Sequence, residues 1–425
     1  MSSSTRAADV VVIGGGIVGR SVASSAARRG MSVIVVEPMS ATFGTSSANA
    51  GHLVPSHRVP FAAPGMVRAG LRSLAVRDGA FAIAPISAIG LMPWLWRFAR
   101  SSTQANVERG VPALRHLLET TVDELHRLRD SGAHLDSADG GILQVCSSAG
   151  GLRGLRHEAE VWGRWGVRTE TLSATAVRVE EPMLRDSVVG AMRLDDDGRF
   201  DPALLLAAVT EEGDRNGVES LTARVARIEP LGDQAARVHT SDGVLDARRV
   251  VVAAGVWTAA LCRPLGVRLP IVAARGNSVT LPDCPRPNSP MLLVEQRMAL
   301  NPLAQGLRLT GGFRLTRPQD REVNPKRSRE LVQRAAEVLA IPTDTLPTNE
   351  WTGLRPATTD GLPIIGALAS APSIIVASGH GMLGSTTGGG TGEVVAAMLA
   401  GEPLPFDDAT VSPNRFTRTR KGGGR

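Results

Sequence analysis

The chain has 425 residues, of which 43% are hydrophobic and 21% charged, a composition typical of a globular protein with two or three domains. Most of its net charge of +6 comes from the last twelve residues, which carry five basic side chains and no acid, and only 3% of the residues are aromatic, so nucleic-acid binding is not expected. Lysine is present only at Lys326 and Lys421 and tyrosine is absent, which argues against a Schiff-base lysine and excludes tyrosine as an acid or base.

The cysteine pattern and the first residues indicate the compartment. Three widely spaced cysteines, without a CxxC or HExxH pattern, favour neither a disulfide framework nor a metal site, and they fit a reducing cytoplasm. The opening MSSSTRAA lacks the basic region of a signal peptide. We therefore expect a cytoplasmic protein without a bound metal.

The N-terminal segment carries a dinucleotide-binding pattern. It predicts a strand over 9–13, a helix over 17–29 and a second strand over 31–37. Gly14, Gly16 and Gly19 have the GxGxxG spacing between the first strand and the helix, and Glu37 ends the second strand. Such glycines allow a pyrophosphate close to the backbone, while the acid accepts the ribose hydroxyls. Because glutamate disfavours a 2′-phosphate, NADP is the weakest candidate, and FAD and NAD remain.

Two further segments follow in this half. Residues 44–53 are small and polar, as expected of backbone lying along an extended FAD or of a flexible loop. Residues 79–96 are uncharged but interrupted by Pro85 and Pro93, which argues against a spanning helix. They are interpreted either as buried helices or as a surface segment that touches a bilayer through its tryptophans, with Arg97 and Arg100 beside lipid phosphates.

The middle of the chain alternates helix and strand signals. Helices are predicted over 114–129 and 202–216, the second capped by Asp201 with Pro202 in its first turn, and strands over 222–229, 236–240 and 249–253. The run Asp195-Asp196-Asp197-Gly198 predicts a hairpin turn rather than a calcium loop, because the later ligands are missing.

Near the C-terminus, Arg355 is a single charge among apolar and turn residues, placed to clamp a carboxylate or, alternatively, to cap a loop or pair with Asp360. Residues 361–392 are rich in glycine and uncharged, apart from a possible charge on His380, which favours backbone packed against a cofactor. A helix is predicted over 392–399, after a turn at 384–387 that offers N–H groups to negative charge.

These signals predict an α/β fold with a discontinuous Rossmann-like FAD-binding domain and an inserted substrate domain of mixed sheet and helices. The boundaries are 7–60, 198–266 and 350–412 for the FAD domain, 61–197 and 267–349 for the substrate domain, and 413–425 for a disordered basic tail.

The motifs together resemble the D-amino-acid oxidase family of flavoproteins, most closely its bacterial D-amino-acid dehydrogenase and glycine oxidase branch. The resemblance extends over nearly the whole chain. It rests on the Gly14–Glu37 fingerprint, TSSANAG ending at Gly51, Phe200-Asp201-Pro202, AAGVWT ending at Thr258, GLRPATTDGLPIIG and Gly379-His380-Gly381.

The resemblance implies bound FAD and a set of site residues. Arg355 matches the substrate-carboxylate arginine, and His380 and His52 are candidates either for tuning protonation near neutral pH or for shaping loops. The implied FAD contacts are Gly14, Gly16, Gly19, Glu37, Ser46, Ser47, Asn49, Ala50, Gly51, His52, Leu53, Val225, Ala254, Gly255, Trp257, Gly384, Ser385 and Thr386. Ala48 stands where relatives with covalent flavin carry histidine, so non-covalent FAD is expected. Met382 replaces the second arginine of the glycine-oxidase group.

The implied reaction is oxidation of an amino acid, most readily a D-amino acid, to its 2-oxo acid through an imine, with hydride passing from Cα to flavin N5. Alternatives are a secondary amino acid such as D-proline, hydroxyproline or N-methylglycine, and an FAD-bearing subunit of a larger electron-transfer complex. The electron acceptor is a quinone, a partner protein or O₂, and the protein is expected in the cytoplasm or peripherally on the inner face of the cytoplasmic membrane.

Overall fold

The computed structural model describes residues 6–38, 44–68, 70, 81–83 and 88–417. The α-helices are α1 Ile17–Arg28, α2 Ala88–Ser101, α3 Gln104–Asp130, α4 Ala149–Gly163, α5 Ala174–Glu180, α6 Pro202–Arg215, α7 Thr258–Cys262, α8 Pro325–Ala336 and α9 Gly384–Ala400. Short 3₁₀ helices cover Gly255–Trp257, Arg263–Leu265, Asp408–Thr410 and Pro413–Phe416.

The strands in the first half are β1 Arg6–Ile13, β2 Val33–Glu37, β3 His52–Leu53, β4 Phe81–Ile83, β5 Ala138–Asp139, β6 Ile142–Cys146, β7 Thr169–Ser173, β8 Gly190–Leu194, β9 Gly198–Arg199 and β10 Glu219–Thr222. Those in the second half are β11 Val225–Pro230, β12 Ala236–Thr240, β13 Gly243–Val252, β14 Val272–Leu281, β15 Met291–Leu293, β16 Met298–Leu303, β17 Gly306–Thr316, β18 Thr348–Ala357, β19 Ile364–Leu368 and β20 Ala371–Ser378.

An eight-stranded sheet forms the nucleotide-binding part. Its order is β10-β2-β1-β13-β12-β11, with β20 pairing with β13 and β19 with β20. The pairs β10–β2, β2–β1, β1–β13 and β13–β20 are parallel. Parallel strands buried on both faces are almost wholly apolar, which explains the runs VVVI in β1 and VIVV in β2. Helices α1 and α9 pack over one face through Val22, Val394 and Val395.

The second large sheet has nine strands. Its order is β18-β14-β17-β16-β15-β6-β8-β7, with β4 beside β17. One face of its central strands is apolar and packs against α8 through Leu331, Val332 and Ala335. A small sheet of β3, β9 and β5 lies in the order β3-β9-β5. Since β3 comes from the polar loop after β2, this sheet ties that loop to β9, immediately before Phe200.

Helix α2 contains the tryptophans of the uncharged segment. Its Leu91 and Trp94 pack on the nine-stranded sheet with Ala274 and Leu315, so this side belongs to a core, while Trp96 on the other side is exposed. Earlier in the segment, residues 81–83 form β4, and residues 79–80 and 84–87 lie outside the described residues. Among the residues that are described, no helix combines the length and apolarity needed to cross a bilayer.

Several predicted elements have different bounds in the structure. The helix predicted over 114–129 begins at Gln104, because Thr103 caps it and Pro112 is accommodated inside it. The strand predicted over 249–253 begins at Gly243. The turn at Asp195–Gly198 is not a hairpin, because β8 and β9 belong to different sheets. The helix over Pro202–Arg215 is confirmed, with the carboxylate of Asp201 accepting the N–H of Ala203 at 2.7 Å.

The glycine-rich C-terminal stretch forms a helix earlier than predicted. Helix α9 begins at Gly384 rather than 392 and runs between α1 and α3. A Cβ at Gly390 would lie 2.2 Å from the carbonyl oxygen of Leu117, and one at Gly392 would lie 2.7 Å from that of Ser21. These glycines therefore serve close packing between helices, and not the cofactor contact that the sequence suggested.

The sheets bear on the proposed domain division. Strand β18 belongs to the nine-stranded sheet, although the sequence predicts residues 350–412 to be part of the FAD domain. The basic tail also begins later than residue 413, because Pro413–Phe416 is a 3₁₀ helix and Arg415 pairs with the buried Asp360 at 2.8 Å. Residues 418–425 lie outside the described residues. The two-domain division itself stays a proposal.

Candidate active site

The turn between β1 and α1 is shaped by its glycines. Gly14 has φ 115°, and its N–H donates to the carbonyl of Val36 at 2.9 Å. A Cβ at Gly19 would lie 1.9 Å from the carbonyl oxygen of Gly14, so the helix approaches the strand end as closely as backbone allows. The carboxylate of Glu37 accepts the Gly15 N–H at 2.6 Å. The backbone and the acid of the dinucleotide pattern thus meet at one edge of the sheet.

Two helix N-termini lie at this edge without a cap or an acid in their own first turn. Neither α1 nor α9 has a capping bond from its own N-cap side chain or an acidic residue in its first turn. The first N–H groups of a helix lack intrahelical partners and carry partial positive charge. The two ends therefore fit an anionic pyrophosphate at α1 and the electron-rich end of a flavin at α9. The residues present accordingly fit the FAD that the sequence predicts.

The loop over 44–53 connects the two helix ends. The hydroxyl of Ser46 accepts the Ile17 N–H at 2.9 Å, and the amide of Asn49 donates to Ser385 Oγ at 2.8 Å. The hydroxyl of Thr386 donates to the carbonyl of His52 at 3.2 Å. Asn49 also fixes its own loop, because its side-chain oxygen accepts the Gly51 N–H at 2.8 Å. The structure thus brings together the loop of Ser46, Ser47, Asn49, Ala50, Gly51, His52 and Leu53 with Gly384, Ser385 and Thr386.

The other predicted cofactor residues lie at the same edge of the sheet. Ala254 touches the glycine turn, since a Cβ on Gly14 would lie 3.1 Å from its Cα. Gly255 has φ 54° and open space where a Cβ would stand. Trp257 is partly exposed beneath the guanidinium of Arg321. Val225 follows Ala223, whose N–H donates to the Glu37 carbonyl at 3.2 Å, so the strand β11 starts beside the acid.

Arg355 lies on β18, where two loops that follow β2 and β20 of the eight-stranded sheet converge. The hydroxyl of Thr45 donates to the Leu354 carbonyl at 3.2 Å, and the Gly381 N–H donates to the Pro356 carbonyl at 2.9 Å. The Arg355 side chain crosses Gly276 of β14, where a Cβ would lie 2.3 Å from Nη1. Any larger residue at Gly276 would displace the guanidinium.

The guanidinium of Arg355 has one partner within the described residues. Its Nη1 donates to the carbonyl of Gly312 at 2.7 Å, at a bulge of β17 where Gly312 has φ 85°. The expected alternative partner Asp360 is held by Arg415 instead. Desolvation lowers the pKa of Arg355 to about 10. The remaining guanidinium N–H groups form a half-buried site for an anion.

The two predicted histidines do not titrate near neutral pH. His380 donates from Nε2 to Thr391 Oγ1 at 3.0 Å, because that hydroxyl itself donates to the Thr387 carbonyl. His52 donates from Nε2 to the Leu300 carbonyl at 2.8 Å. Burial lowers the pKa of each imidazole to about 4. Both rings are neutral at pH 7, which favours the loop-shaping role over tuning of protonation.

Sequence reasoning missed two groups beside the loop. The hydroxyl of Ser56 donates to Asp197 at 2.7 Å and contacts His57 Nδ1 at 3.2 Å, while burial raises the pKa of Asp197 to about 7. Arg308 of β17 approaches the Asn49 carbonyl at 3.5 Å. A lone arginine in the apolar strand sequence GLRLT was the available signal for the second group.

The buried histidines make stability depend on pH. The folded pKa of about 4 for His380 is below the usual 6.5, so between these values the unfolded chain binds a proton that the folded chain does not. The contribution of each such histidine to the free energy of unfolding is therefore fully present above pH 6.5. It is lost as the pH falls towards 4, at up to about 1.4 kcal/mol per pH unit. Asp197, with its raised pKa, offsets part of this loss.

We expect His380→Gln to flatten that dependence. Glutamine can still donate to Thr391 but does not titrate, and Asp197 is the same in both proteins. Urea unfolding at pH 6.5 and 4.5 gives the free energy of unfolding of wild type and variant. Between these pH values, the wild type should lose about 2–3 kcal/mol more of it than the variant. Parallel stability curves would contradict the assignment of a neutral buried His380.

Comparison with known proteins gives consistent matches over most of the chain. A sequence profile of the DAO family, described as FAD dependent oxidoreductase, matches residues 9–398. A D-amino acid dehydrogenase of Methylobacterium radiotolerans is 32% identical over 402 residues, covering 92% of this chain and 96% of that protein. One of Rhizorhabdus wittichii is 30% identical and covers 96% and 100%, respectively.

Solved structures resemble the whole fold. Glycine oxidase from Geobacillus kaustophilus has a TM-score of 0.75 at 24% identity and covers 97% of this chain and 100% of that one. L-proline dehydrogenase from P. horikoshii has a TM-score of 0.71 at 18% identity, covering 97% and 98%. At these identities the likeness concerns the fold alone.

Proposed function

The chain belongs to the DAO family of FAD-dependent oxidoreductases, and on that basis we propose that it oxidises a D-amino acid to an imine that hydrolyses to the 2-oxo acid. The observation that carries the proposal is Arg355, a half-buried cation with a single backbone partner among the described residues. Relatives named D-amino acid dehydrogenase that match nearly the full chain support it.

The cofactor is FAD, which when bound supplies the two-electron acceptor of the reaction. The residues of the chain orient the substrate and the cofactor relative to each other. Arg355 can hold the substrate carboxylate in two parallel hydrogen bonds, which fixes the orientation of Cα. The loop over 44–53 and the start of α9 hold the cofactor from two sides. His52 and His380 keep those backbones in place as neutral donors.

The proposal is tested by anaerobic reduction of the purified yellow protein with matched D- and L-amino acids. We expect bleaching of the flavin absorbance by at least one D-amino acid and little by its enantiomer. Secondary amino acids belong in the same panel, since N-methylglycine or D-proline as the fastest reductant would replace the proposal. Reduction by none of them would contradict amino-acid oxidation.

We expect FAD to be bound without a covalent link. Residue Ala48 offers no nucleophile at the attachment position that the resemblance identifies, so the cofactor is held by non-covalent contacts alone. Precipitation with acid should release the yellow colour into the supernatant in roughly one-to-one ratio to protein. Colour that stays with the pellet would contradict this expectation.

We also propose a peripheral membrane contact through the exposed side of α2, with a quinone of that membrane as the electron acceptor. Met92 and Trp96 are each 60% exposed, and the Arg100 guanidinium lies 4.8 Å from the centre of the Trp96 ring, beside Arg97. Exposed apolar side chains next to arginines suit the interface of an anionic bilayer.

A sedimentation assay with anionic vesicles tests the contact. The wild type should co-sediment, and Trp96→Gln should reduce binding several-fold. Val179→Gln, which removes an exposed apolar residue elsewhere, serves as the control. Failure of the wild type to bind the vesicles would contradict a membrane role for α2.

A further inference from the structure

One face of the nine-stranded sheet carries a row of buried polar side chains. Cross-strand pairs place Thr280 of β14 and Asn301 of β16 on either side of Arg308 on β17. Residues directly opposite each other share a face of the sheet. The alternate positions, Val279 and Leu309 among them, point to the opposite face and pack in the core with α8. The polar row therefore faces the loop over 44–53.

Contacts with the loop fix this orientation. Asn301 donates to the carbonyls of Ala50 and Gly51 at 2.9 and 3.1 Å. Arg308 approaches the Asn49 carbonyl, which belongs to the same loop. Since this loop also binds the N-termini of α1 and α9, the row lies at the cofactor side of the sheet.

Arg308 is a buried cation with weak partners. It is 5% exposed, and its hydrogen bonds are long, 3.4 Å to Thr280 Oγ1 and 3.5 Å to the Asn49 carbonyl. No carboxylate among the described residues lies within ion-pair distance. The carboxylate of Asp201 attracts it from further away but is bound by Gln305 and by the N-terminus of α6. Burial lowers the pKa of Arg308, as expected when the charge lacks a close counter-ion.

A buried charge of this kind is costly unless something compensates it. Arg28 of α1 provides the contrast in the same protein, because it contacts the carboxylates of Glu124, Glu212 and Glu393. The described residues give Arg308 no such partner. An anion that arrives with the substrate would complete its hydrogen bonds.

Arg355 occupies the same face of the sheet. Its partner on β14 is Ala274, and its guanidinium reaches along that strand to Gly276. Arg308 pairs with Thr280. Thr280 lies four residues beyond Gly276 along β14, which corresponds to ~13 Å of strand length. A charge-assisted contact of ~2.8 Å at each end leaves roughly 7 Å between the bound anions, about the distance between the carboxylates of an extended glutamate.

The floor between the two cations suits a polar chain. Ser278 and Thr310 lie between them on the same face, with their hydroxyls 3.1 Å apart. Trp351, the neighbour of Ser278 on β18, folds over Gly353, where a Cβ would lie 1.6 Å from its ring. The region thus has a wall against which methylene groups can pack.

We propose that Arg308 binds the side-chain carboxylate of the substrate while Arg355 binds its α-carboxylate, so that the substrate is an acidic amino acid of about the length of glutamate. This inference rests on the proposed amino-acid oxidation. It adds the substrate class and a specificity-determining residue. A shorter diacid such as aspartate reaches both cations less well.

The test compares D-glutamate with D-glutamine, which has the same shape without the second charge. Anaerobic flavin reduction of the FAD-loaded wild type should be at least thirty-fold more efficient, as kcat/KM or its half-reaction equivalent, with D-glutamate. Arg308→Gln should reduce this ratio to near one, mainly by loss of D-glutamate efficiency, and Arg308→Lys should restore part of it. Arg193→Gln, which removes a cation from β8 of the same sheet, should keep the wild-type ratio.

Each other result is decisive. If wild type reduces its flavin with neutral D-amino acids as readily as with D-glutamate, the inference is wrong and amino-acid oxidation still stands. Equal losses for D-glutamate and D-glutamine in Arg308→Gln, with a shifted flavin spectrum, would assign Arg308 to the cofactor or loop instead. Should no amino acid reduce the flavin, the proposed function fails and the inference fails with it.

Discussion

Replacing Arg355 with alanine is expected to lower kcat/KM for the amino acid by about thirty- to several-thousand-fold, while the protein keeps its FAD and its flavin spectrum. Removing one member of a charge-assisted pair from a water-poor site costs about 2–5 kcal/mol. No tyrosine exists in this chain to share the carboxylate, and Met382 is exposed and uncharged. Arg355 therefore provides most of the binding energy for the α-carboxylate of the substrate.

The measurement is anaerobic flavin reduction by an amino acid and by its amide. Wild type should prefer the acid strongly, and Arg355→Ala should lose the preference. Arg355→Lys keeps the charge but loses the planar fork, so it should be impaired as well. Equal reduction of acid and amide by the wild type would contradict the carboxylate clamp.

Replacing Gly19 with alanine is expected to weaken FAD binding by about ten- to hundred-fold. The added methyl group would lie 1.9 Å from the Gly14 carbonyl oxygen, so the glycine turn and the start of α1 must move apart. Overpacking costs about 1–3 kcal/mol, and here it falls on the backbone that surrounds the cofactor. FAD retention during dialysis and a fluorescence titration of the apoprotein with FAD measure the effect.

Gly154→Ala is the matched control. Gly154 lies inside α4, and a methyl group added there would meet no neighbouring side chain or element within 4 Å. Alanine at this position should therefore stabilise the protein by about 0.5–1 kcal/mol without changing FAD affinity. If Gly19→Ala kept full FAD affinity, the close contact between turn and helix would have no role in cofactor binding.

Local signals were sufficient where one short segment determines the structure. The GxGxxG spacing and Glu37 predicted a turn that the structure shows at one sheet edge, and Asp201 before Pro202 predicted a capped helix. Arg355 stood out as a single charge in an apolar run. In each case the residues that make the interaction are close in sequence or have few alternatives.

Other features depend on contacts that a single segment does not reveal. From the sequence, the glycines at the start of α9 indicated backbone packed against a cofactor, because their role in helix packing depends on α1 and α3 on either side. From the sequence, His380 was a candidate either for tuning protonation or for shaping a loop, and the choice depends on Thr391, eleven residues later, which accepts its N–H. Arg308 became notable only when β14 and β16 placed polar neighbours beside it.

The order of strands in the eight-stranded sheet sets the order of events during translation. β1 pairs on one side with β2, which follows it closely, but its other edge waits for β13, and β13 in turn waits for β20. At 5–20 residues per second, the ribosome needs roughly ten seconds or more to synthesise the stretch between β1 and β13. During that time the nascent chain exposes an apolar strand edge open to intermolecular pairing. Lower growth temperatures and chaperones should therefore raise the yield of native protein.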